Sequence, residues 1–347
     1  MVDLFGQREA IAHLLYREVD ALVQQSLLEY GTAELGREER QRLEASMRGH
    51  VAPLADAVLM DSVSLLQAHI DHARYTAPGP APAHDEHLHR QLVALNQALT
   101  RHLPIADKQL VAEYLAPMQR QLQQPLPKLR LARPPELTTL ARRYLDLLLD
   151  GQRTEALTLV REEVKRGRDV RDLYQEVFQP VQQQVGLLWH QGRVSVAQEH
   201  YCTGATELAM ALLHPYLHRT PRNGRRLVAT TLSGDLHSMP VRIVCDFLEG
   251  AGWEPIWLGG NTPAATIWPT VAAYRADLLL VGASMNHHVA AVRRLLAERS
   301  AHPTLQKIRT LVGGAPFNAD PQLWQAVGAD AWAPDAPGAV EAVRKLL

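Results

Sequence analysis

The sequence predicts a multidomain α and α/β protein, in which two all-helical regions precede a doubly wound parallel sheet. Three observations carry this prediction. Apolar residues recur at helical spacing over the first 125 residues, and a second block of such helices follows a proline-rich stretch. Beyond residue 226, apolar runs typical of buried strands alternate with helical patterns. The 347 residues allow two or three domains of roughly 100–200 residues each.

Residues 1–125 are predicted to be helical almost throughout, and we expect them to form one all-helical domain. Apolar side chains between positions 11 and 27 fall on a single stripe at helical spacing. A helix break is expected near Pro53, because proline removes a backbone hydrogen bond from a helix. The Pro/Gly-rich residues 76–85 predict a loop.

A proline-rich linker at residues 126–134 leads into the second helical block. Residues 135–220 contain four amphipathic helices joined by short turns, which predict a four-helix bundle. Residues 227–347 alternate strands and helices, so they predict a doubly wound parallel sheet. The strands are unbroken apolar runs, as expected when both faces of a sheet are buried.

Composition excludes several classes of function. Lysine and arginine number 36 and aspartate and glutamate 37, a net charge of −1, whereas a dedicated DNA-binding protein usually carries a basic surplus. We therefore expect no nucleic-acid partner. Without a signal-peptide core or a long apolar run, a cytoplasmic protein with no membrane contact is expected. Cys202 and Cys245 are too few for a disulfide framework.

Ligands of such a sheet bind beyond the carboxyl ends of its strands. The segments that follow the predicted strands are rich in Gly, Ser, Asn and His, and they comprise residues 230–240, 258–263, 282–288 and 313–318. The first segment contains Asp235-Leu236-His237. An imidazole here can ligate a metal through one nitrogen, while the carboxylate two residues earlier accepts the N–H of the other. A surface loop with an uninvolved histidine explains the triplet equally well.

Asp235 and His237 are followed by Ser284 after a later strand and then by Gly313-Gly314, with 47 positions from His237 to Ser284 and 29 from Ser284 to Gly313. This order and spacing resemble the cobalamin-binding domain of methionine synthase, mutases and light-sensing regulators. The resemblance covers about residues 227–347. Two positions depart from the family pattern, because Pro240 stands where glycine is usual and Met285 follows the serine.

By this resemblance, His237 would be the lower axial ligand of the cobalt, in place of dimethylbenzimidazole, and Asp235 would hold its other ring nitrogen. Ser284 and the Gly313-Gly314 turn would accommodate the buried nucleotide tail, since glycine permits a close backbone approach. The cobalamin-binding residues implied in this domain are Asp235, Leu236, His237, Ser284, Met285, Gly313 and Gly314.

In the bundle, Trp189 is followed after nine residues by Glu199 and His200. This spacing resembles the signature of cobalamin photoreceptors of the CarH/LitR class, whose bundle caps the upper face of adenosylcobalamin. The resemblance implies that Trp189 stacks beside the 5′-deoxyadenosyl group and that Glu199 hydrogen-bonds it. It also implies that His200 approaches the cobalt as a second metal ligand after photolysis. The alternative is a core tryptophan with a Glu-His pair on the helix surface.

In the N-terminal region, His69 and His72 lie three positions apart and share a helix face. The region resembles the globin-like helical sensor domains that precede some signalling and cobalamin domains. Photocobilins, which bind cobalamin and biliverdin, have this domain order, so biliverdin is implied as a second cofactor. The residues that could hold it are His69, His72, Arg74, Tyr75 and Asn96. Helix-surface histidines without a ligand are the alternative, and the absence of a cysteine before Cys202 excludes a thioether-linked bilin here.

Together the resemblances predict a light-sensing photoreceptor that binds adenosylcobalamin and is not an enzyme. Photolysis of the cobalt–carbon bond would change the conformation and the state of a light-dependent homo-oligomer, a dimer or a tetramer. The signal would pass to a protein partner. Two alternatives stay open: a corrinoid methyl carrier of a methyltransferase system, and a cobalamin-dependent antirepressor that acts through protein contacts.

Overall fold

The computed structural model describes residues 4–32, 34–76, 81–123, 136–218, 220–301 and 304–347. The predicted linker at residues 126–134 lies outside them. The chain divides into two compact units. The first comprises Met1–Leu131, Met285–Arg294 and Ala315–Val327, and the second comprises Ala132–Ser284, Leu295–Gly314 and Gly328–Leu347. The bundle and the sheet share the second unit, and the predicted division into three domains stays a prediction.

The N-terminal part of the first unit is all-helical, as predicted. Its helices are α1 (Leu4–Arg17), α2 (Val19–Tyr30), α3 (Arg37–Met60), α4 (Val63–Thr76), α5 (Ala81–His102) and α6 (Ile105–Leu122). Helix α5 begins within the segment predicted as a loop, so the Pro/Gly-rich connection is shorter than residues 76–85.

The predicted helix break near Pro53 is wrong, because α3 runs through the proline without interruption. An interior proline costs a helix about 3 kcal/mol or more. Here that cost is offset by burial of the surrounding turns, since Val51, Leu54 and Val58 are fully buried. Tertiary packing thus overrides the local preference, and the helix ends instead at Met60, where the following Asp61 has a left-handed φ of 53°.

The four-helix bundle is present in the second unit. It consists of α7 (Thr139–Leu149), α8 (Arg153–Lys165), a long third helix and α11 (Val196–Leu213). The third helix is built from α9 (Val170–Leu173), a π-helical turn (Tyr174–Phe178) and α10 (Gln179–His190). Pro180 supplies no N–H to the ladder beside this turn, and Gln179 bonds back to the carbonyl of Tyr174.

The sheet has five parallel strands in the order β2-β1-β3-β4-β5. The strands are β1 (Arg226–Thr231), β2 (Glu254–Trp257), β3 (Leu278–Gly282), β4 (Arg309–Gly313) and β5 (Ala331–Ala333). The chain leaves β1 to one side for β2 and returns to the other for β3, so the carboxyl ends of β1 and β3 form the topological switch point. The register places Thr231 beside Gly282 and Gly282 beside Gly313, which brings the loops after β1, β3 and β4 level with one another.

The remaining helices are α12 (Met239–Gly250), α13 (Ala264–Tyr274), α14 (Asn286–Ala301), α15 (Ala315–Ala319), α16 (Leu323–Ala326) and α17 (Ala336–Leu346). Helix α12 contributes Met239, Ile243 and Phe247 to the hydrophobic core of the bundle, and it also packs on the sheet. The bundle and the sheet domain therefore share α12 as a common wall. Within the described residues, no helix is long and apolar enough to cross a membrane.

Candidate functional site

Asp235 joins the loops that follow β1 and β3. Its side chain is fully buried, and its Oδ1 accepts the backbone N–H of His237 at 3.1 Å. Oδ2 accepts the backbone N–H of Ser284 at 2.8 Å. The two predicted loop residues are thus held together by one carboxylate, at the switch point where an α/β sheet binds its ligand.

His237 lies beyond the carboxyl end of β1 with its ring on Asp235. Nδ1 is 3.1 Å from Oδ1 of Asp235, and the side chain is 59% exposed. The hydrogen bond to Asp235 raises the pKa of His237, although partial burial opposes that rise, and the charges of Asp235 and Glu199 add to it. Because Nδ1 is engaged, Nε2 is the nitrogen that can coordinate a metal.

Thr231 and Asn261 hold the loop that follows β1 through hydrogen bonds, and the sequence analysis gave neither residue a role. The hydroxyl of Thr231 donates to the backbone carbonyl of Asp235 at 2.6 Å, and the N–H of Asn261 donates to the same carbonyl at 3.0 Å. The Asn261 side chain accepts the N–H of Gly234 at 2.7 Å. Asn261 has a φ of 59°, and asparagine tolerates this left-handed conformation better than most residues. In the sequence, the asparagine that follows Gly259-Gly260 after β2 was the feature that could have indicated this role.

Gly314 brings the β4 loop against the β3 loop. It has a φ of 113°, and a Cβ at this position would lie 2.1 Å from the carbonyl oxygen of Ala283. A Cβ on Gly313 would lie 3.2 Å from the carbonyl oxygen of Ala333. The glycine pair therefore lets the backbone approach the chain next to Ser284.

Three predicted loop residues differ in exposure. Ser284 is half-buried, whereas Leu236 and Met285 are exposed at 76% and 45%. Apolar side chains this exposed at a strand-end crevice are available to contact a ligand or a partner. In all, the structure brings Asp235, His237, Ser284, Gly313 and Gly314 into one constellation around the strand ends.

The bundle motif lies at the end of α10 and in the first turn of α11. Glu199 Oε1 is 3.0 Å from the hydroxyl of Thr203, which is also 3.0 Å from Oε1 of Gln182. His200 lies on the surface beside it, with Nε2 3.5 Å from Oε2 of Glu199, and Trp189 is 43% exposed. The charge of Glu199 adds to the raised pKa of His237.

The N-terminal candidate residues take part in internal contacts. Nε2 of His69 lies 2.9 Å from Nδ1 of His50, and Arg74 forms a buried two-point ion pair with Asp85, at 2.8 and 2.6 Å. To bind a carboxylate of the biliverdin that the sequence analysis implied, Arg74 would first have to break this ion pair with Asp85. Asn96 is half-buried, and the side chains of His72 and Tyr75 lie outside the described residues.

Comparison with known proteins identifies the domains. Residues 225–344 match a family model described as a B12 binding domain, and residues 140–214 match a second model with the same description. A corrinoid protein of Desulfitobacterium hafniense (strain Y51) is 24% identical over 205 residues, which cover 58% of this chain and 94% of the relative. Trimethylamine corrinoid protein 1 of Methanosarcina acetivorans is 24% identical over 206 residues, with the same coverage of both chains.

A solved structure shows the fold. The monomethylamine corrinoid protein of Methanosarcina barkeri has a TM-score of 0.54 and 19% identity, and the match covers 60% of this chain and 98% of that one. The predicted bundle and parallel-sheet domain are confirmed by these matches.

The expected membership of the CarH/LitR and photocobilin photoreceptors is wrong. The relatives named above are corrinoid proteins, one of them named for trimethylamine, and none is named as a photoreceptor. The same finding overturns light-driven signalling and the light-dependent homo-oligomer, and biliverdin has no support. The role of His200 as a second cobalt ligand stays a prediction. The physical reason is that a tryptophan and a Glu-His pair ten positions apart also arise on ordinary bundle helices.

The residues present fit a corrinoid. A carboxylate-held imidazole offers a nitrogen ligand for cobalt, and the glycine pair lets the β4 loop approach the β3 loop beside it. This chain therefore carries two B12 binding domains, a helical one at residues 140–214 and a parallel-sheet one at residues 225–344, and its cofactor is a corrinoid.

Proposed function

We propose that this chain is the methyl-carrying corrinoid component of a methyltransferase system, the first of the two alternatives that the sequence left open. The relatives that span its bundle and sheet support the proposal, because one of them is a trimethylamine corrinoid protein. The observation that carries it is the Asp235–His237 pair, since it supplies a nitrogen ligand on the strand-end loop. When bound, the corrinoid supplies a cobalt atom that accepts a methyl group and gives it up.

The protein's own residues would bind the corrinoid and orient the histidine that ligates its cobalt. Asp235 holds the proton on Nδ1 of His237, so the lone pair of Nε2 would be the one available to bind the cobalt. The same carboxylate fixes the β3 loop through the N–H of Ser284. Asp235 therefore links the metal-binding loop to the β3 loop, and we expect loss of its charge to weaken both contacts.

In this proposal the chain is a carrier and not itself an enzyme. The exposed Trp189 lies at the end of α10, and Glu199 lies in the first turn of α11. Methyl transfer then requires separate methyltransferase partners. The methyl donor we infer is a methylated small molecule such as trimethylamine, for which a relative is named.

The test is reconstitution of the full chain with hydroxocobalamin, reduction to Co(II) and electron paramagnetic resonance. We expect nitrogen coupling that changes when the protein is labelled with ¹⁵N-histidine, and loss of that change in His237→Ala. A His13→Gln variant is the matched control, because His13 is an exposed residue of α1. Failure of the wild-type chain to bind the corrinoid, or an unaltered spectrum in His237→Ala, would refute the proposed ligand.

A labelled methyl donor tests the proposed role as a methyl carrier. Reduced holoprotein mixed with a methyltransferase and a ¹³C-labelled methylamine should gain the label on its corrinoid. Green light should leave the assembly state of the chain unchanged. A chain that accepts no methyl group from any methylamine, but dissociates or associates on illumination with adenosylcobalamin, would contradict the proposal.

A further inference from the structure

A second cluster of metal-binding side chains lies between the bundle and α12, within the second unit. His214 directly follows α11, while Asp246 and Glu249 lie one turn apart near the end of α12. Nε2 of His214 is 2.9 Å from Oε2 of Glu249 and 3.9 Å from Oδ1 of Asp246. One ligand atom from each of the three residues lies within 4.8 Å of the other two.

The geometry suits one small cation. Zinc–nitrogen bonds of about 2.0–2.1 Å and similar zinc–oxygen bonds place tetrahedral ligand atoms about 3.3 Å apart. The two measured separations, 2.9 and 3.9 Å, bracket that value. The third pair of ligand atoms, from Asp246 and Glu249, lies within 4.8 Å, so side-chain movement could bring one nitrogen and two oxygens around a shared centre.

The second oxygen of Asp246 is already fixed. The hydroxyl of Tyr174, in the π-helical turn, donates to Oδ2 of Asp246 at 2.7 Å. Carboxylates that bind metals are commonly held by such a hydrogen bond from an outer partner. Oδ1 of Asp246, the oxygen nearer to His214, is consequently the one presented to the cluster.

Negative charge predominates around this cluster of His214, Asp246 and Glu249. It contains two carboxylates, and the carbonyl ends of α11 and α12 both terminate at it, since these helices end at Leu213 and Gly250. Asp246 is 95% buried. Arg242, one turn before it on α12, lies 5.2 Å from the ring centre of Trp257.

We propose that His214, Asp246 and Glu249 bind a divalent transition metal such as Zn²⁺, at a site separate from the corrinoid. The imidazole ligand favours zinc and its neighbours over magnesium or calcium, which prefer oxygen alone. Three protein ligands leave a fourth position for water. The metal would link the end of α11 to the end of α12. It would thereby stabilise the packing of the bundle on α12, the helix that also packs on the sheet.

The test is isothermal titration of Zn²⁺ alone into the full chain after removal of divalent metals. We expect one tight site per chain, with affinity reduced at least about 100-fold in His214→Gln and Glu249→Gln. Tyr174→Phe, which removes only the outer partner, should lower the affinity about 10- to 100-fold. Zinc should also raise the Tm of the wild-type chain and not that of His214→Gln.

Two controls separate this site from others. His13→Gln removes an exposed histidine beside Glu9, and His237→Ala removes the proposed cobalt ligand; both should keep the wild-type zinc affinity. Loss of binding in His237→Ala alone would place the ion at the β1 loop and overturn the proposal. Equal binding by wild type and His214→Gln, or none by wild type, would show an adventitious ion only or a plain ion pair. If His214→Gln loses its helical circular dichroism, Glu249→Gln decides in its place.

Discussion

At the scale of single residues, Asp235 is the one on which the corrinoid site depends most. It is buried, it accepts the backbone N–H groups of His237 and Ser284, and it holds the imidazole. The motif Asp-x-His predicts the last contact from sequence. The bond to Ser284 spans 49 positions, and no local pattern carries it. Loop-to-loop contacts of this kind depend on the register of the strands, which a single sequence does not reveal.

The first prediction concerns Asp235→Asn. Asp235 raises the pKa of His237, so the charged pair stabilises the fold below the ordinary histidine pKa of about 6.5, and this stabilisation is lost as the pH rises through the folded-state value. The asparagine variant should lower the pKa of His237 in an NMR titration of the full chain. Corrinoid affinity should fall about 10- to 100-fold, because the ring loses its orienting partner. An unchanged histidine titration would contradict the assigned contact.

The second prediction concerns Gly314→Ala. A Cβ would lie 2.1 Å from the carbonyl oxygen of Ala283 at a φ of 113°, so the loop must shift. We expect a loss of about 1–3 kcal/mol in the free energy of unfolding, measured with urea, and weaker corrinoid binding. Gly204→Ala is the matched control, because Gly204 lies in α11 with no atom within 4 Å of the added Cβ. That variant should be neutral or more stable by up to about 1 kcal/mol.

At the scale of elements, the sequence predicts well which segments are helices and which are strands. It does not predict where a helix ends or whether a proline interrupts it. The apolar runs of β1, β3 and β4 and the amphipathic bundle helices were recognisable from their periods. Helix α3 shows the limit, because its continuation through Pro53 depends on packing against α1 and other helices. Pairings between helices, such as Arg74 with Asp85, likewise have no local signature.

The third prediction tests that pairing of α4 with α5. The Arg74 side chain is fully buried, and Asp85 is 12% exposed, so removal of the cation leaves a carboxylate without compensation. Arg74→Met should lower the free energy of unfolding by about 3–5 kcal/mol. In the double variant with Asp85→Leu, most of that loss should be recovered, because no buried charge remains. A double variant as unstable as the single one would argue that packing of the arginine stem dominates.

The fourth prediction concerns the contact of α1 with α3. Burial raises the pKa of Asp56 to about 6, and the hydroxyl of Tyr16 and the charge of His288 reduce that rise. A carboxyl with a raised folded-state pKa stabilises the fold below its unfolded pKa of 3.8, and this stabilisation is lost as the pH rises through about 6. Asp56→Asn should therefore be more stable than wild type at pH 8, by up to about 3 kcal/mol, and similar to it at pH 4. Urea unfolding at both pH values measures the free energy of unfolding of the variant relative to wild type. The same stability difference at pH 4 and pH 8 would contradict the prediction.

At the scale of the whole molecule, the sequence predicts the order of helical region, bundle and parallel sheet, and it predicts a corrinoid on the strand ends. The light-sensing function was wrong because it depended on a short helix motif, whereas the relatives match over more than half of the chain. The cluster of His214, Asp246 and Glu249 was invisible beforehand, because its members come together only when the bundle packs on α12. Residues 1–139 lie outside both B12 binding matches.

The most direct test of the methyl-carrier account is the identity of the upper ligand on the native cofactor. The chain would be purified in darkness from cells grown on a methylated amine, and the released corrinoid analysed by mass spectrometry. The account predicts a methyl group on the cobalt of part of the corrinoid and no adenosyl group. An adenosylated corrinoid, or a chain that carries no corrinoid at all, would contradict it.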